Sequence, residues 1–475
     1  MTQHDTDYLI VGAGAAGLAF ADTLVRETDA HITFVDRHAK PGGHWNDAYP
    51  FVALHQPSAF YGVNSLSLGT LRKDAVGPNA GFYELASGAE VCGYFHNVMY
   101  QHLLPSGRVS YFAMCDYLGD GKFVSMLSGE QSSVSVRKKI VDANYFGPTV
   151  PATHTPKFSV AADVQLVTPT GLTQLWQRDG PRPTRFCILG AGKTAMDVGV
   201  WLLGCGARAA AISWVMPRDS WLVNRATTQP GEEFFTQSIG GQASQMKALA
   251  EATDVDDLFL RLEAGGQMLR IDRKETPRMF HYATISEGEV ELLRQIKNVI
   301  RMGRVHAIHT HGITLDGGQQ SMDTQTLFID CTASAVEPRA MLPIFQTNKI
   351  TLQLVRAPLV SFSAAMIAYV EAHYADDIQK NQLCSNVPFP RDIAGYIQTT
   401  VANMRNQMQW TQDKTLRKWM TESRLDGFGK LVGSVAPTDT EKIKILSDLR
   451  THAVAAMANA PKLLPGWKRE STSMV

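Results

Sequence analysis

Two short glycine-rich segments hold the residues whose types and spacing point to chemistry. Gly12-Ala13-Gly14-Ala15-Ala16-Gly17 follows the apolar run Tyr8-Leu9-Ile10-Val11, and Gly190-Ala191-Gly192-Lys193-Thr194-Ala195 follows Phe186-Cys187-Ile188-Leu189. A strand that turns sharply into a helix brings unpaired backbone N–H groups and the positive end of the helix dipole to one point, which suits a diphosphate. In the first segment Gly12 makes the tight turn, Gly14 lets backbone approach a pyrophosphate, and Gly17 lets the helix pack on the strand. Asp36 follows the next β-rich run, His31 to Val35, where a carboxylate accepts hydrogen bonds from ribose hydroxyls and repels a 2′-phosphate. The first site is therefore expected to take FAD or NAD in preference to NADP.

The second segment differs where specificity is set. A small residue, Ala195, replaces the last glycine, leaving Gly190, Gly192 and Thr194 to form the phosphate turn. The following strand ends Trp214-Val215-Met216-Pro217-Arg218, with no carboxylate at its terminus. An arginine pairs bidentately with a 2′-phosphate, so Arg218 favours NADPH over NADH. Lys193 and Arg225 are secondary candidates, and Asp219 could instead hold Arg218 in a surface ion pair.

What separates FAD from NAD at the first site is the run Asp36-Arg37-His38-Ala39-Lys40-Pro41-Gly42-Gly43-His44-Trp45. It resembles the E/D-x(5)-G-G-x-W segment of flavin-containing monooxygenases and their Baeyer–Villiger relatives. The resemblance implies FAD, bound with the help of Asp36, Arg37 and Gly43, with Trp45 beside the isoalloxazine; the alternative for Trp45 is an ordinary core aromatic. Gln56 stands where that family has a flavin-contacting asparagine, with His55 next to it. Gln56 could donate to a flavin oxygen or a peroxide, and His55 could be a proton donor or a structural residue. Gly190 to Ala195 matches the family's second motif, G-x-G-x-S/T-A, which implies NADPH as electron source.

The implied activity is an FAD- and NADPH-dependent monooxygenase. It would insert one oxygen atom from O2 into a small organic substrate through a flavin C4a-(hydro)peroxide. The alternative is an NAD(P)H:acceptor flavin reductase or dehydrogenase without oxygen insertion. The family fingerprint F-x-G-x-x-x-H-x-x-x-Y/F is interrupted. One alignment pairs His154 with Phe158, and another puts Val164 at the histidine position. The small-residue strand ends also differ, reading Val141-Asp142-Ala143-Asn144 and Asp330-Cys331-Thr332-Ala333.

These motifs need two β-α-β units to position them, and 475 residues suffice for two to three domains. The expected fold is α/β, with two dinucleotide-binding (Rossmann-like) domains. The FAD domain begins over 1–178, the NADPH domain is inserted over 179–325 after the stiff Pro181-Arg182-Pro183 linker, and 326–475 completes the first domain with a largely helical C-terminal part. Helical spacing runs from Ala364 to Tyr374, Pro390 to Met420 and Asp439 to Ala458, while Arg469 to Val475 reads as a frayed end. Residues 278–282 are expected in a helical excursion of the second domain. Aromatic- and methionine-rich segments around Phe60-Tyr61, Tyr94-Phe95, Trp221 and Met279-Phe280 could line an apolar pocket or form core.

Composition narrows the class further. Forty-five basic residues balance 45 acidic ones, so no net field favours nucleic acid or an anionic membrane. The N-terminus lacks a basic leader, and no uninterrupted apolar run is long enough to span a bilayer, which suggests a cytoplasmic protein. Six scattered cysteines form no C-x-x-C pair, which argues against zinc, disulfides and a dithiol relay.

Overall fold

A computed structural model describes residues 2–147, 149–177, 179, 182–333 and 339–464. Part of the expected 181–183 linker and all of 469–475 lie outside these residues. The first unit is built on the strand Thr2–Val11, which pairs in parallel with Ile32–Val35 on one side and Gln131–Asp142 on the other. Val109–Phe112 extends the sheet beyond Ile32–Val35, and Lys349–Thr351 extends it beyond Gln131–Asp142, both in parallel. All four residues of Ile32–Val35 are buried, the pattern of a parallel strand covered on both faces. Alanines and Gly17 let the helix Ala15–Glu27 lie close on the sheet. Against it packs Val360–His373, whose residues 361–370 are all buried.

The second unit repeats the plan. Its parallel sheet runs in the order Asn298–Ile300, Ile212–Val215, Arg185–Leu189, Thr326–Asp330, Leu166–Val167. This sheet reaches beyond the expected limits of 179 and 325 on both sides. Leu166–Val167 enters before the glycine turn, and Thr326–Asp330, a strand as its pattern predicts but expected to begin the return to the first domain, instead pairs beside Arg185–Leu189 in the second. Its five residues are all buried, which an internal parallel position requires. The chain rejoins the first sheet only at Lys349–Thr351.

An excursion from the second unit carries three short strands, Ser220–Asn224, Met268–Leu269 and Met279–Ile285, and the helices Gly241–Glu251 and Val255–Ala264. Residues 279–282 thus lie on a strand, not in the expected helix. Phe280 is buried and His281 exposed, an alternation that a paired strand satisfies. The C-terminal helices Ile393–Gln412, Lys414–Glu422 and Thr440–Leu463 fall where helical spacing was expected. Asp413 divides the first two, since its carboxylate caps the N–H groups of Thr415 and Leu416. The aromatic segments fall into two separate clusters, with Tyr61 packed against Phe95 in the first. Phe95 and Tyr94 belong to the core of the first unit, while Trp221 and Phe280 pack with Phe259 and Tyr396 between the excursion and the C-terminal helices.

Candidate functional site

At the first turn Gly12 has φ +107°, and a Cβ there would collide with the Asn144 amide, while one at Gly17 would collide with the Gly12 carbonyl. Gly43 explains the second glycine pair. It has φ +57°, a Cβ on it would sit 3.0 Å from Gly14 Cα, and the neighbouring Gly42 N–H donates to Ala13 O at 2.9 Å. The G-G-x-W segment is thus laid directly on the first glycine turn, and only glycines allow the two backbones to approach. Gly14 begins the following helix with no side-chain capping bond, so the cap position gives no side chain to the helix's first N–H groups.

Asp36 is buried at this turn, and its carboxylate is held from two sides. Ala13 N–H donates to Oδ2 at 2.6 Å, and His38 N–H donates to Oδ1 at 2.7 Å. The His38 ring then bridges Asp36 Oδ1 (2.9 Å) and Asp47 Oδ2 (3.0 Å). Its hydrogen bond to Asp36 outweighs partial burial and raises His38 to about 9. Sequence reading missed this residue; the available signal was a histidine two positions after the acid. Arg37 points outward instead, 3.7 Å from Asp116 and mostly exposed.

Trp45 donates from Nε1 to Tyr61 Oη at 2.8 Å and lies edge-on to that ring. Gln56 Nε2 donates to Phe60 O at 3.3 Å, so its amide braces its own loop. His55 is lowered to about 3, first by burial and then by the charges of Lys193 and Arg225. Its ring is therefore neutral at pH 7, and the imidazolium form expected of a proton donor is not the resting one.

At the second turn Gly190 has φ +118°, and a Cβ would come within 2.6 Å of Cys331 O, where the outgoing chain crosses over it. Gly192 is exposed with open space around its Cβ position and begins a helix lacking a side-chain cap. Arg218 is exposed beyond the end of Ile212–Val215. Asp219 does not take it up, since that carboxylate is gripped by Arg301 at 2.9 and 3.1 Å. The secondary candidates are occupied elsewhere. Lys193 binds Asp197 and lies 3.9 Å from Glu289, while Arg225 is fully buried and donates to Glu289 at 3.0 Å and to His55 O.

These last contacts join the two units. Tyr49 Oη, beside Thr194, donates to Asp197 at 2.7 Å, and Phe51 stacks on Trp201 at 4.9 Å. Burial alone would raise Glu289, but Lys193 and Arg225 overcome it and hold the carboxyl below its ordinary range. A buried charge network balanced in this way fixes geometry more than it adds stability. At the crossing between units His154 Nε2 lies 3.2 Å from Thr332 Oγ1, and Thr332 donates to Asp330 at 2.6 Å. Val164, the other fingerprint candidate, packs into the second unit's core. All six cysteines are free, no cluster of metal-ligating residues occurs among the described residues, and none of their helices is long and apolar enough to cross a membrane.

Residues 10–64 match a family model described as an NAD(P)-binding Rossmann-like domain. The chain is 43% identical over 460 residues to the uncharacterized protein Rv2000 of Mycobacterium tuberculosis (strain ATCC 25618 / H37Rv), covering 97% of this chain and 84% of the relative. The uncharacterized protein Mb2023 of Mycobacterium bovis matches equally, at 43% and the same coverage. The chain belongs to their family. Among solved structures it is similar to the polycyclic ketone monooxygenase from the thermophilic fungus Thermothelomyces thermophila, with 13% identity, TM-score 0.49, and coverage of 97% of this chain and 85% of that one. The N-terminal unit, then, is a Rossmann-like dinucleotide-binding domain, and the parallel sheet around Arg185–Leu189 repeats its strand–glycine turn–helix plan.

Proposed function

We propose that this chain is an FAD-dependent oxidoreductase reduced by NADPH, and that it acts as a monooxygenase on a small organic substrate and O2. The observation that carries this reading is the pairing of two glycine turns in one chain, the first overlaid by Gly43 and the second open at Gly192. The residues suit FAD at the first turn. The helix end is free of a capping side chain, Asp36 stands at the ribose position, and the Tyr111 hydroxyl on the adjacent strand is buried without a partner among the described residues. Gly12, Gly14, Gly17 and Gly43 would cradle the diphosphate, and Trp45 and Gln56 would border the ring system. NADPH suits the second turn, with Gly190, Gly192 and Thr194 under the diphosphate and the exposed Arg218 free to meet a 2′-phosphate.

FAD, when bound, supplies the redox chemistry. The chain's own residues orient and exclude. Tyr49 and Asp197 tie the nicotinamide unit to the first unit, and the Phe51–Trp201 stack covers their junction. His55, held neutral, offers a hydrogen bond without a charge. Gln56 presents an amide whose position is set by Phe60 O.

The test is absorbance of the purified protein, its bleaching by NADPH and NADH in rapid mixing, and oxygen and peroxide accounting with ketones, amines and sulfides. Oxygen uptake matched one-to-one by oxygenated product supports the monooxygenase reading. Bleaching with all electrons recovered as peroxide or passed to a quinone supports a flavin reductase. A colourless protein that binds no flavin overturns both.

A further inference from the structure

The loop from His55 to Tyr61 is held by two arginines that come from different parts of the fold. Arg225, in the second unit, donates from Nη1 to His55 O and from Nη2 to Glu289 at 3.0 Å and Thr284 O at 3.3 Å. Arg424, which follows the helix Lys414–Glu422, donates from Nη1 to Ala59 O at 2.7 Å and from Nη2 to Tyr61 O at 2.6 Å, with the Tyr94 hydroxyl at 3.4 Å. Between these anchors lies Gln56, whose amide closes the loop on Phe60 O, and Tyr61 at the far end accepts from Trp45. Three carbonyls of one short loop are therefore held by two guanidinium groups. In each arginine the Nε is buried without a hydrogen-bond partner among the described residues. Burying a guanidinium with a donor unmet is costly. Carbonyl-directed arginines give a loop rigid anchors because the planar fork presents its donors in fixed directions.

We propose that Arg225 and Arg424 are positioning residues. They fix the backbone of residues 55–61 from the nicotinamide unit and from the C-terminal helices, so that Trp45 and Gln56 keep their places only when all three parts of the chain are docked. The inference rests on the reading of Gln56 and Trp45 as flavin-facing. It adds a route by which docking of the second unit controls the geometry at the first. Both arginines direct their donors at backbone carbonyls of the loop. Each acts through the loop it holds.

The experiment compares Arg424→Met, Arg225→Met paired with Glu289→Gln, the conservative Arg424→Lys and Arg225→Lys, and a control, Lys139→Met. Lys139 also sits in a partly buried ion pair, with Asp377 at 2.7 Å and Glu371 at 3.7 Å, neither of them in the loop. Arg424→Met leaves no ion-paired carboxylate behind, so it reports even where the Arg225 variant fails to fold. Hydrogen exchange of peptides spanning 54–62 is read without added cofactor. Bleaching by NADPH is read on the flavin-loaded protein. Each methionine variant is expected to speed exchange in that loop about tenfold, and to slow bleaching by about 10- to 100-fold with KM for NADPH unchanged, since small displacements of positioned groups cost that much. The lysine variants should recover part of both, and Lys139→Met should change neither. Unchanged loop exchange and bleaching in Arg424→Met overturn the proposal. Faster loop exchange in a protein that NADPH never bleaches refutes the functional reading and leaves the clamp standing.

Discussion

His38 offers a quantitative test of the first turn. Its ring sits between Asp36 and Asp47 at 2.9 and 3.0 Å, with 24% of the side chain exposed, and its folded-state value is raised from 6.5 to about 9. That displacement corresponds to roughly 3 kcal/mol of stabilisation, an upper figure because the Asp47 side of the bridge is open to solvent. The sign follows from the direction. A histidine with a raised folded value stabilises the fold fully below pH 6.5 and loses that contribution as pH rises through about 9. His38→Gln removes the titration while keeping a hydrogen-bonding side chain. Thermal unfolding of both proteins at pH 6 and pH 10 reads the effect. The wild type should melt several degrees higher than the variant at pH 6, on the order of 5 °C for a domain of this size, and the gap should close by pH 10. A gap that stays constant from pH 6 to pH 10 refutes the ion-bridged description of the turn.

Three other outcomes are expected. Gly43→Ala forces a side chain to φ +57° and to within 3.0 Å of Gly14 Cα, so flavin content after purification should fall sharply, with about 1–2 kcal/mol of backbone strain added; full flavin occupancy would count against the overlay. Arg218→Ala should raise KM for NADPH by about tenfold or more and leave KM for NADH nearly unchanged, as read in steady-state kinetics with both donors. On the acid side, burial lowers His44 to about 4 and His55 to about 3. Stability they contribute is present above pH 6.5 and lost as pH falls towards those values, and His55→Gln should flatten the melting-temperature profile between pH 7 and pH 4.

Much of the architecture was legible because it depends on local rules. A glycine turn between an apolar strand and a helix needs only neighbours in the chain, and both turns sit where Gly12 and Gly190 were read. The C-terminal helices follow their three- and four-residue spacing, with Asp413 cutting one of them as a capping residue does. The strand Met279–Ile285 was misread because its partner, Ser220–Asn224, lies far back in the chain and its own period is too short to decide. Membership of Leu166–Val167 and Thr326–Asp330 in the second sheet is likewise a matter of pairing across long separations.

By itself, the amino-acid order determined the two strand–glycine turn–helix units and placed an acid after the first and an arginine after the second, since each rests on residue type at short spacing. Only the tertiary structure decided how these parts are held. It brought His38 between two carboxylates, spent Lys193 and Arg225 on the junction, left Arg218 exposed, and set Arg424 against a loop more than 350 residues earlier in the chain. Contacts of that kind depend on which surfaces meet after folding, and spacing along a chain carries no record of them.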